Sequence, residues 1–103
     1  MKTDFQGAKL EQAVLRNANL TQANLSKADL TEADLTEADL PKADLPKADL
    51  SNANLSYADL AEADLTDAIL SGANLSGARV TQEQLASAGS RAGAILPDGS
   101  RHP

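Results

Sequence analysis

Ala recurs at every fifth position from Ala8 to Ala78 and Leu from Leu10 to Leu75, and Phe5, Val80 and Leu85 keep the same register at the ends. A step of five does not suit an α-helix. At about 100° per residue each Leu would sit about 140° round from the last, and no apolar stripe would form. A flat strand fails as well, because side chains alternate faces and an odd step would send successive leucines to opposite sides. The spacing does suit a chain that turns a corner in every repeat, with Ala and Leu pointing inward from a short extended piece and the other residues forming the bend. Such a chain winds into a solenoid.

Corner chemistry agrees. In Leu40-Pro41-Lys42-Ala43 and Leu45-Pro46-Lys47-Ala48 the prolines fall at the first central position of a β-turn, where their fixed φ is favourable. Gly7, Asn17, Asn52, Gly72 and Gly77 occupy the second central position and tolerate the positive φ of a type II turn. Lys27, Glu32, Glu37 and Glu62 stand at the same position and predict that some corners use another turn type. The Ser or Thr after each Leu is expected to hydrogen-bond the turn backbone.

Runs such as Ala28-Asp29-Leu30-Thr31-Glu32 and Ala53-Asn54-Leu55-Ser56-Tyr57 resemble the pentapeptide-repeat family, whose unit is summarised as A(D/N)LXX. The resemblance covers roughly residues 3 to 82. It implies an all-β solenoid, a right-handed quadrilateral β-helix with four repeats per coil. Four coils and a short carboxy-terminal capping helix follow for this chain, with columns Phe5/Leu25/Leu45/Leu65, Leu10/Leu30/Leu50/Leu70, Leu15/Leu35/Leu55/Leu75 and Leu20/Leu40/Leu60/Val80.

A length of 103 residues makes one domain, read as a β-helix over 1–82 and a cap helix with tail over 83–103. Thr81-Gln82-Glu83-Gln84 has the form of a capping box, so a short helix is predicted over about Thr81 to Ala88, its Leu85 and Ala88 closing the apolar end. Ala94-Ile95-Leu96 is expected to pack back on the solenoid, and Ser100 to Pro103 to fray. The amino-terminal side has no such cover, so an open strand edge is expected at Phe5 and with it a monomer or a weak head-to-head dimer. There is no cysteine, and Met1-Lys2-Thr3-Asp4-Phe5 enters the repeat too soon for an apolar leader. A cytoplasmic protein with no membrane contact is the expectation.

Charge is the main surface signal. Between Asp29 and Asp67, eight Asp and three Glu face only Lys42 and Lys47, a balance of −9 within a chain of net charge −6. Asp29, Asp34, Asp39, Asp44, Asp49, Asp59 and Asp64, with Tyr57 at a corner, are the candidate interaction surface. Lys47 near Asp67 and Lys42 near Glu62 are expected to offset part of the repulsion. The family resemblance implies one specialised use of such a surface, since some members mimic DNA and occupy the DNA site of type II topoisomerases such as gyrase. Two features oppose that use here: four coils span only about six base pairs at about 3.4 Å each, and the carboxylates lie on four different faces. Asp29/Asp49, Asp39/Asp59 and Asp44/Asp64 should lie one coil apart, but nothing in the sequence supplies a cage or cleft, so no metal site is assigned. His102 is the only histidine and lies in the tail, which leaves no Ser/His or Cys/His arrangement. The sequence thus reads as a non-enzymatic scaffold or protein-interaction module with no cofactor, no direct nucleic-acid binding and an unidentified protein partner; a DNA-mimicking topoisomerase inhibitor is the alternative.

Overall fold

Each repeat closes its own corner. The amide of the next Ala donates to the carbonyl of the preceding Leu, as in Ala43 N to Leu40 O at 3.1 Å and Ala53 N to Leu50 O at 3.0 Å. These four-residue turns redirect the chain every five residues, and in the computed structural model, which describes residues 2–103, four of them complete one circuit. Parallel bridges then join residues twenty apart without interruption from Asp4↔Asn24 to Asp59↔Arg79. Leu45 N donates to Asp64 O at 2.8 Å and Asp44 N to Ala23 O at 2.9 Å, so each row is bonded to the coils on both sides of it.

All fifteen corners from Gly7 to Gly77 share one backbone form. The second central residue has φ between 59° and 69°, and twelve of the fifteen are not glycine. The expectation of a different turn at Lys27, Glu32, Glu37 and Glu62 is therefore wrong, and the cause lies between coils. At every one of these corners except Glu62, above which α1 begins, this residue's amide donates to the next coil, as Glu37 N does to Ser56 O at 2.9 Å and Lys42 N to Ala61 O at 2.8 Å. A corner of another type would leave such bonds unmade above and below, which outweighs the roughly 1–2 kcal/mol of left-handed backbone. Glycine has a further use at Gly77: a Cβ there would collide with the ring of Tyr57, which lies across it.

The core consists of the predicted columns. Every Leu from Leu25 to Leu75 is under 2 % exposed, the intervening alanines are buried with them, and no polar or charged side chain among the described residues is buried. Each such Leu contributes on the order of 2 kcal/mol of burial before ordering costs. Phe5, Leu10 and Leu15 at the amino-terminal end are only partly buried.

Among the described residues there is one helix, α1, spanning Gln82–Ser87. Its Thr81 N-cap accepts from Gln84 N and Gln84 returns the bond to Thr81 N, so the capping box forms as the sequence indicates. The Gln84 amide also donates to Leu60 O at 2.7 Å and Ala63 O at 2.9 Å, which ties α1 to the coil beneath, and Leu85 is buried. Beyond α1 the solenoid resumes with one residue added: Ile69 bridges Ser90 and Asn74 bridges Ile95, and Ala94 is buried. The chain then reverses into a hairpin, Ile95 pairing antiparallel with Arg101. Frayed Ser100 to Pro103 is thus corrected, since Leu96 N donates to Ser100 O, His102 N to Ala94 O and Gly93 N to His102 O at 2.6–2.9 Å.

Candidate interaction surfaces

The residue between Ala and Leu in each repeat points outward, and the ladder sorts these positions into four faces. One carries Asp4, Asn24, Asp44 and Asp64; the next Lys9, Asp29, Asp49 and Ile69; the third Val14, Asp34, Asn54 and Asn74; the last Asn19, Asp39, Asp59 and Arg79. Asp29/Asp49, Asp39/Asp59 and Asp44/Asp64 are direct neighbours one coil apart, as expected from the spacing. They do not merge into one surface, because each pair occupies its own side of the square. Among the described residues no cluster of three or more His, Cys, Asp or Glu is arranged to hold a metal ion.

Most of these carboxylates are already occupied. Asp29 Oδ1 accepts from the Thr31 amide at 3.1 Å and from its hydroxyl at 2.6 Å, and Asp34–Thr36, Asp49–Ser51 and Asp64–Thr66 repeat the arrangement. These hydroxyls, like those of Thr21, Ser26 and Ser56, therefore donate to the side chain two residues back, not to the turn backbone, whereas the Ser71 hydroxyl pairs with that of Ser90. The carboxylate is the better acceptor, being charged and already aimed at the turn by the Asx geometry. Hydroxyl first and amide second, these bonds hold Asp29, Asp34 and Asp64 below the usual carboxylate range.

Asp39 and Asp44 differ. Two residues on stand Pro41 and Pro46, which have neither amide hydrogen nor hydroxyl, so these two carboxylates receive no such bond among the described residues. They flank the Pro41–Lys42 corner and are, among the aspartates between Ala and Leu from Asp29 to Asp64, the two with no bond from the residue two positions on. The ion pairs also fall elsewhere than expected: Arg16–Asp34 at 3.6 Å and Arg79–Asp59 at 3.8 Å, whereas Lys42 and Lys47 approach no carboxylate within 4 Å among the described residues. Both pairs are exposed and add little to stability.

Apolar exposure is sparse. Val14 is 77 % and Tyr57 68 % exposed, two coils apart, and the Tyr57 ring is laid against Gly77. At the first coil the amides of Lys9, Val14 and Asn19 have no backbone partner among the described residues, which makes the edge beside Phe5 open as the sequence suggests. A cleft of about 710 Å³ opens at the other end, lined by residues including Val80, Leu85, Leu96, Pro97, Glu83 and Arg91. The sequence reading missed this cleft. The one signal for it was Ala94-Ile95-Leu96-Pro97-Asp98, which is itself a repeat and places Leu96 in an inward column.

A family model described as pentapeptide repeats matches residues 1–36, 13–52 and 43–82 in eight copies. Among solved structures, a pentapeptide repeat protein of the Arabidopsis thaliana thylakoid lumen is 31 % identical with a TM-score of 0.83, over 97 % of this chain and 69 % of that one. One from Nostoc PCC 7120 is 38 % identical with a TM-score of 0.70, over 88 % and 65 %. HetL, a Nostoc pentapeptide repeat protein involved in heterocyst differentiation regulation, is 30 % identical with a TM-score of 0.63, over 96 % and 64 %. The chain thus spans about two thirds of the length of each of these proteins. No curated protein sequence matches it. With the five-residue unit, the twenty-residue stacking and the right-handed quadrilateral β-helix of these relatives, the chain belongs to the pentapeptide repeat family.

Proposed function

We propose that the protein is a non-enzymatic, cytoplasmic interaction module: a rigid β-helix of four coils, closed by α1 and the hairpin, that holds a protein partner at its ends. One observation carries this reading. Most face carboxylates are satisfied within their own repeats and distributed over four sides, while open backbone edges and partly covered apolar residues lie at the two ends. An edge of unpaired amides and carbonyls is a template for another chain. Self-association belongs at the Phe5 edge, where one coil's end would bury on the order of 1,000 Å² over two copies, the size of a transient contact.

DNA mimicry is the second reading, and Asp39/Asp59 beside Asp44/Asp64 is the feature that favours it. The experiment is a pull-down from the native host using the wild-type chain and a variant with Asp39, Asp44, Asp59 and Asp64 changed to Asn. The partners captured should be the same for both. Loss of all capture on neutralising the four acids, together with salt-dependent inhibition of gyrase supercoiling by the wild type alone, would replace the module reading with mimicry.

A further inference from the structure

The last turn of the solenoid has three sides. α1 lies over the Asp64 side, with Ser87 O accepting from Asp67 N; Gly89–Arg91 continue the Ile69 side through Ser90; Ala94–Leu96 continue the Asn74 side through Ile95. After Asp98 the chain doubles back on Ile95, so no described residue covers the fourth side, Ala78-Arg79-Val80. That row is bonded downward only: Arg79 N donates to Ala58 O and Arg79 O accepts from Leu60 N, both at 2.9 Å. The groups that bond upward in the row below are Ala58 O and Leu60 N; their counterparts, Ala78 O and Val80 N, have no hydrogen-bond partner among the described residues. The 710 Å³ cleft lies beside this free edge and exposes the top of the Leu20/Leu40/Leu60/Val80 column, with Leu85, Leu96 and Pro97 as its apolar walls.

We propose that this fourth side is a docking groove for an extended segment of another protein, of the form small residue, acidic residue, aliphatic residue. The segment adds as a parallel strand on Ala78–Val80. Three features of the groove specify it. The ladder requires the segment's central amide to donate to Ala78 O and its central carbonyl to accept from Val80 N, as Arg79 itself does with Ala58 and Leu60. Register places a small side chain over Ala78 and an aliphatic one over Val80, directed into the cleft. Charge selects the central residue: Arg79 is the only cation in the column Asn19, Asp39, Asp59, Arg79, its side chain is 77 % exposed, and its Asp59 contact lies on the lower side. An acid above Arg79 places this cation between two carboxylates, Asp59 below and the segment's own acid above. This inference deepens the interaction-module reading and rests on it.

The test titrates three acetylated, amidated hexapeptides into the isotopically labelled protein, followed by amide chemical shifts: one containing Ala-Asp-Leu, one containing Ala-Lys-Leu, and the Ala-Asp-Leu peptide N-methylated at its Asp amide. The Asp peptide should bind with sub-millimolar affinity, moving Val80, Leu85 and Leu96, and the N-methylated peptide should not. Arg79→Glu, an exposed substitution that leaves the core intact, should weaken the Asp peptide about tenfold and reverse the preference toward the Lys peptide. No shifts at Val80 and Leu96 up to millimolar peptide, equal binding of the N-methylated peptide, or shifts confined to the Phe5 edge would overturn the proposal. Contacts from Ser100–Pro103 to Val80 in the free protein would do so too, by assigning the groove to the chain's own tail. Failure here with host partners still captured would sink the groove alone; failure of both would sink the module reading.

Discussion

Leu45→Asp abolishes the folded state, and Leu45→Ala lowers its stability by about 2–5 kcal/mol. Leu45 is 1 % exposed in the middle of the Phe5/Leu25/Leu45/Leu65 column, and no polar group is buried near it to receive a charge. A carboxyl there must be buried without a partner, charged or protonated, and the packing of the Leu is lost with it, which together rival the 5–15 kcal/mol that a domain of this size holds in total. Because stability in a solenoid passes from coil to neighbouring coil, damage in the middle cannot be isolated as fraying at one end. Glu37→Ala, on an exposed corner of the same solenoid, should leave the melt within a few degrees of wild type. Circular dichroism melts in which the Leu45 and Glu37 variants behaved alike would refute the inward and outward assignment.

The second large effect separates two adjacent residues. Glu37→Pro should cost about 3 kcal/mol or more, whereas Thr36→Pro should be tolerated. Glu37 has φ 59° and donates its amide to Ser56 O at 2.9 Å; proline fixes φ near −65° and has no amide hydrogen, so both the turn and the contact between coils are lost. Thr36 stands where the next two corners already carry Pro41 and Pro46, and its amide and hydroxyl serve only the Asp34 carboxylate. Urea denaturation of the two variants measures the difference directly. Equal destabilisation would mean that the corners are not the single turn type described.

The inward columns were legible because a strict five-residue rhythm leaves few ways to bury Leu and Ala together, and Thr81 with Gln84 announced α1 by local hydrogen-bond chemistry alone. The corners were harder to read. Glu and Lys at positions of positive φ run against local preference, and what holds them there is a bond to a residue nineteen positions further on, a non-local cause that propensity cannot report. The acid columns were placed correctly, yet their chemistry was not: that Thr31 and Thr36 occupy Asp29 and Asp34, while Pro41 and Pro46 leave Asp39 and Asp44 unengaged, depends on the direction of the side chain at each turn. At the carboxy-terminal end the helix adds one residue and shifts the register. The returning repeat at Ala94 therefore fell out of phase with the count, and with it went the three-sided last turn and the groove it leaves.

The central claim is that residues twenty apart stack, and a cysteine pair tests it most directly, because the chain has no cysteine of its own. Gln12 and Glu32 sit on successive coils of one corner column, with Gln12 Nε2 donating to Glu32 Oε1 at 3.2 Å. Parallel neighbours about 4.8 Å apart lie within disulfide range. Under mild oxidation Gln12→Cys/Glu32→Cys should cross-link nearly completely as a monomer on a non-reducing gel, while Gln12→Cys/Glu37→Cys, displaced by one repeat, should stay reduced. Cross-linking of the displaced pair, or equal cross-linking of both, would contradict the four-repeat coil.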